Sequence, residues 1–157
     1  MPPTLLCDLD EIDLEDVEAD PEDIRRMNPQ RHEMEQLDGI LHYDPDEEVV
    51  VGYKDVEENE FWERGHIPGN PLLPGVLMCE AAAQLCSYYY GRNQGADQFL
   101  GFAGMQDVKF RAPVTPGQKL ILIAKNTEMR SRRATFDTQG VVDGRVVFQA
   151  EITGMPM

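Results

Sequence analysis

Three cysteines, two serines and one tryptophan are all that 157 residues hold of these types. Cys7, Cys79 and Cys86 form no C-x-x-C pair. An odd number without metal-ligand spacing argues against a disulfide framework and for a reducing compartment, the cytoplasm. On one helix Cys79 and Cys86 would stand about 10 Å apart along the axis, out of disulfide reach. They read as small buried apolar residues rather than reactive thiols. Neither Ser87 nor Ser131 sits in a nucleophile elbow, which argues against a serine hydrolase. His32, His42 and His66 show no ligand spacing, so no metal is expected. No apolar run approaches the roughly 20 residues of a membrane span. The acidic N-terminus does not resemble a secretory signal.

Basic charge is scarce as well. The formal net charge is -15, and it is unevenly spread. Residues 1–63 hold 22 acids against 4 bases, whereas residues 64–157 hold 7 against 10. No strongly basic face is evident, so nucleic acid is not an expected partner. The mildly basic C-terminal half could still receive an acidic partner by local attraction.

What is present suits one compact domain, since 41% of the residues are apolar. In "CDLDEIDLEDVEAD" (Cys7 to Asp20) acids alternate with Leu9, Ile12, Leu14 and Val17. Self-repulsion predicts a flexible extension over residues 1–20, with a weak amphipathic helix as the second reading, ahead of a domain over 21–157. Asp20-Pro21-Glu22-Asp23 predicts a helix start that stops near Asn28-Pro29. A strand is expected over Glu47 to Val56, where β-branched residues gather. Pro74 to Tyr90 predicts a long helix, with Gly91 as its stop. Apolar on every face, that helix belongs inside the molecule. Four strand patterns follow, over 99–111, 119–127, 133–142 and 145–153, and Asp143-Gly144 predicts a two-residue hairpin. The sum is an α+β fold, an antiparallel sheet curled around one long helix.

Glu80 sits almost two turns inside that apolar helix. A buried carboxylate without a partner is costly or takes up a proton, and a proton held in this way is what a general acid needs. His66 precedes the helix on a loop stiffened by Pro68, Pro71 and Pro74. At the helix start, Gly75 offers a backbone N–H with no side chain in the way and the positive end of the dipole behind it. A base, an acid and a carbonyl-polarising amide together make a site for proton removal next to a carbonyl.

"ENEFWERGHIPGNPLLPGVLMCEAAAQ" (Glu58 to Gln84) resembles the signature of the FabZ-type 3-hydroxyacyl-acyl-carrier-protein dehydratases, N-E-x-[FW]-x-x-G-H-[FI]-P-x-x-P-x-[ML]-P-G-V-L-x-x-E-[AS]-x-A-Q. "GMQDVKFRAPVTPGQKL" (Gly104 to Leu120) resembles the weaker second block of that family. The resemblance implies a hotdog fold, with His66 and Glu80 as the catalytic pair and Gly75 as the amide that polarises the thioester carbonyl. It implies dehydration of 3-hydroxyacyl groups on acyl carrier protein in fatty acid biosynthesis, without a cofactor. A homodimer that shares its active sites between subunits is also implied, and a trimer of dimers beyond it. Lys109, Arg111, Arg132 and Arg133 are candidates to meet the acidic carrier. "PQRHEMEQLD" (Pro29 to Asp38) departs from the family, with Glu33 and Glu35 where apolar residues are usual. Two other readings keep the fold: thioester hydrolysis by a water that Glu80 activates, or acyl-thioester binding without turnover.

Overall fold

The computed structural model of the chain describes residues 2–157. Strands β1 (Gly39–Asp44), β2 (Val49–Asp55), β3 (Leu100–Phe110), β4 (Lys119–Arg130), β5 (Arg133–Val142) and β6 (Arg145–Pro156) make one antiparallel sheet in the order β1-β2-β4-β5-β6-β3. The β5–β6 turn is the expected one. Asp143 and Gly144 both take positive φ, 49° and 78°, the backbone that a tight hairpin demands. Register shifts place extra residues in β1, β3, β4 and β6 and bend the sheet.

Helix α1 (Pro21–Met27) begins where expected. Asp20 accepts from Asp23 N–H and Asp23 accepts from Asp20 N–H, so two orphan donors are satisfied reciprocally. Helix α2 (Gly75–Gln94) lies in the concave face of the sheet. Its Ala81, Leu85, Cys86 and Tyr89 are buried with Leu120, Leu122, Phe136, Phe148 and Ile152 of the strands. Each large side chain so buried contributes about 1.5–3 kcal/mol. No helix is long and apolar enough to cross a membrane among the described residues.

The expected stop at Gly91 is a correction. α2 continues to Gln94, and Gly95, at φ 100°, ends it by donating to the Gly91 carbonyl at 2.9 Å. Gly91 is a glycine for another reason. A Cβ there would meet Met27 Sδ of α1 at 3.0 Å, so its bare backbone lets the two helices close up.

Residues 2–20 form a strap that follows the outer face of the sheet, opposite α2, as far as Leu14, and then brings Ala19 into the core on the helix side. Leu5, Leu6, Leu9, Ile12 and Leu14 pack against Leu41, Val51, Ile121, Ile123 and Val141. The buried Gln139 side chain accepts from Leu6 N–H at 2.9 Å and donates to the Thr4 carbonyl at 2.8 Å. Further on, Glu18 and Ala19 donate to the Ile40 carbonyl of β1. The acids of this strap stay exposed to solvent, which is why a segment so charged can still cover an apolar surface.

Candidate active site

His66 is held by backbone on both sides. Its N–H donates to the Trp62 carbonyl at 2.8 Å, and Trp62 is itself buried. Its carbonyl accepts from Leu72 N–H at 2.9 Å. Leu72 then presents its own carbonyl oxygen to His66 Nδ1 at 2.8 Å. A carbonyl can only accept, so Nδ1 carries a proton, and in the neutral imidazole the lone pair is then on Nε2. This is the tautomer of a base.

The loop has a second anchor that the motif did not single out. Lys54 is buried in β2 and donates to Glu60 at 2.8 Å. Glu60 also accepts from Glu57 N–H and from the Trp62 indole. This pair ties the turn before His66 to the sheet. Its only sign in the sequence was a lysine amid the β-branched run of β2.

His66 and Gly75 line one cavity of about 500 Å³, together with Leu72, Met78 and Phe110. Pro74 caps α2 without a side-chain bond, and Gly75 N–H has no hydrogen-bond partner among the described residues. That amide is available to a carbonyl oxygen, with the helix dipole behind it. A Cβ at Gly75 would stand 2.8 Å from the Phe110 ring, so glycine keeps the cavity floor open.

Glu80 is placed elsewhere within the chain. It is half-buried, outside the lining of that cavity, and Oε1 accepts from Gln84 Nε2 at 2.9 Å. Gln84 is buried, and it also donates to the Met34 carbonyl and accepts from Gln36 N–H. Four residues beyond Glu80 on the helix, it fixes where the carboxylate sits. The signal was a second polar residue on an otherwise apolar helix, one turn from the first. Within the first four turns of α2, Val76, Glu80 and Ala83 make a stripe that the chain leaves incompletely covered, and Val76 is 73% exposed.

The remaining candidates divide. Arg133 bonds to Glu128, while Lys109, Arg111 and Arg132 are exposed. Burial, with Asp8 beside it, pushes the Cys7 thiol up to about 11, and burial also raises Cys79 and Cys86. All three cysteines are free and none is activated.

A FabA-like domain model matches residues 28–151, a stretch that contains His66, Gly75, Glu80 and all of α2. The chain belongs to the FabA-like family. Within that family it resembles proteins named 3-hydroxyacyl-[acyl-carrier-protein] dehydratase FabZ. The one from Desulfotalea psychrophila is 37% identical over 138 residues, covering 86% of this chain and 91% of the relative. The one from Geobacter metallireducens is 35% identical over 136 residues, covering 85% and 90%. Among solved structures, the dehydratase heterocomplex ApeI:P from Xenorhabdus doucetiae superimposes with a TM-score of 0.72 at 16% identity, over 85% of this chain and 90% of that one. At that identity the likeness concerns the fold, which is the expected hotdog arrangement of a sheet around a central helix. The strap of residues 2–20 and helix α1 lie ahead of the matched FabA-like segment.

Proposed function

We propose that the chain dehydrates 3-hydroxyacyl thioesters on acyl carrier protein to trans-2-enoyl thioesters in fatty acid biosynthesis. The observation that carries this is the Leu72 carbonyl bond, which holds a proton on His66 Nδ1 so that the neutral imidazole presents its Nε2 lone pair, in a cavity shared with the free Gly75 amide. His66 Nε2 takes a proton from C2 while Gly75 N–H steadies the negative charge that grows on the thioester oxygen. The C2 electron pair becomes the C2=C3 bond, the C3–O bond breaks, and a proton from Glu80 lets the hydroxyl leave as water. Proton exchange with water resets both groups.

Glu80 reaches His66 from a second copy of the chain. This reading is supported by the uncovered Val76–Glu80–Ala83 stripe and by β3, a free sheet edge on which Phe102 and Phe110 are half-exposed. A trimer of such dimers is the higher assembly to look for in solution. Lys109, Arg111 and Arg132 give the acidic carrier a surface to meet. Three free cysteines suit the cytoplasm, where the carrier would be found.

Loss of the enoyl absorbance band on hydration of a crotonyl thioester reports the reaction in reverse. His66→Ala and Glu80→Gln should each lower kcat by about 10²–10⁴-fold. Near-normal turnover in either variant would remove that residue from the mechanism. Release of free thiol instead of loss of the enoyl band would mark a thioesterase.

A further inference from the structure

Arg111 and Arg145 line one groove of about 640 Å³ between the β5–β6 turn and the N-terminal end of the strap. Pro2, Pro3, Leu5 and Ala112 make most of its remaining wall, and no carboxylate lines it. Neither arginine pairs with a carboxylate among the described residues, in a chain with 29 acids and 14 Lys/Arg. Arg111 is steadied through Nε alone, by Gln149 Oε1 at 2.9 Å. Elsewhere the strap offers the opposite chemistry. A second cavity beside it, of about 510 Å³, is lined by Asp8, Glu11, Asp44 and Glu47 with Lys125. Of these two spaces along the strap, only the arginine groove attracts an anion.

That groove adjoins the reaction cavity, because Arg111 and Ala112 line both. A thioester seated against Gly75 must send its arm outward, and the shared wall gives it a path. Resting on the dehydratase reading, we infer that the groove holds the phosphate of the pantetheine arm bearing the acyl group. Arg111 and Arg145 supply the two cations. Two guanidinium groups suit a phosphate because each can donate in a planar fork. The prolines fix φ at two successive positions and so stiffen the opposite wall, and their apolar rings strengthen the attraction by excluding water. This wall lies outside the matched FabA-like segment, which begins at residue 28.

Calorimetric titration of the full chain with 4′-phosphopantetheine and with pantetheine tests the assignment. The phosphorylated form should bind about tenfold tighter or better, the scale of one or more charge-assisted bonds. Arg145→Gln and Arg111→Gln should each remove most of that preference, with circular dichroism confirming the fold. Removing Pro2 and Pro3, which leaves the Gln139 contacts at Thr4 and Leu6, should weaken it. Coenzyme A should compete for the site, since it carries the same arm. Equal affinity for the two probes, or a preference untouched by Arg145→Gln, overturns the proposal. So does competition by carrier protein without its arm as strong as by carrier protein with it, because the carrier's surface is then what is read. A wild-type chain that hydrates no enoyl thioester would instead sink the dehydratase reading, and leave the binding difference standing.

Discussion

The Leu72 carbonyl lies 2.8 Å from His66 Nδ1, and the Gln84 amide lies 2.9 Å from Glu80. In both cases a neutral group determines how a titratable one presents itself. Gln84→Leu should therefore do two things at once. It leaves the buried Gln36 N–H unpaired, at about 1–3 kcal/mol, which urea unfolding would measure. It also frees the Glu80 carboxyl, so kcat should fall further than KM changes. A drop in stability with unchanged kcat would reduce Gln84 to a structural role. His66, Gly75 and Glu80 could be named as candidates because the signature places a base, an amide and an acid at fixed spacing. Gln84 could not, because its partners lie 48 and 50 residues away.

At the scale of elements, α1 depends on its capping box. Backbone hydrogen bonding from Asp23 holds the Asp20 carboxyl below its ordinary 3.8. Its folded value is depressed, so the stability it lends is complete above the unfolded value and is lost as pH falls through the folded one. Melting temperatures followed from pH 5 to pH 2 should drop less steeply for Asp20→Asn than for the wild type, since asparagine caps without titrating. Equal slopes would mean that the cap is not what acid removes. In α2, Leu85→Ala should cost about 2–5 kcal/mol, because its side chain is wholly buried against the sheet. The long helix, the hairpin and five of the six strands were legible from periodicity and turn chemistry, whereas β1 was not. The far end of α2 was not, because Gly91 reads as a stop until Met27 is placed beside it.

At the scale of the whole molecule, charge and assembly are the open variables. With a net charge of -15, acids of the strap face those of the β1–β2 turn. Added salt should raise the melting temperature as this repulsion is screened, and a flat response would mean that the charges are already neutralised locally. A shared active site makes a sharper prediction. Mixing inactive His66→Ala with inactive Glu80→Gln, after subunit exchange, should restore about a quarter of wild-type activity. Half the dimers are then mixed, and each holds one intact site. No recovery, with exchange verified by mass, would place both groups of a site on one chain.

By itself the sequence determined the kind of the main elements except β1, the helix start at Asp20, the Asp143-Gly144 hairpin and which residues are candidates to move a proton. These are local matters, settled by neighbours within a few positions. Tertiary structure alone decided that His66 and Gly75 share a cavity while Glu80 of the same chain stands outside it. It also decided that the acidic strap lies on the sheet, through a contact between Leu6 and Gln139 that spans 133 residues. Acids alternating with leucines are compatible with a solvated tail and with a covered sheet. The choice between them rests on an apolar surface assembled from β1, β2, β4 and β5, which exists only once the chain has folded.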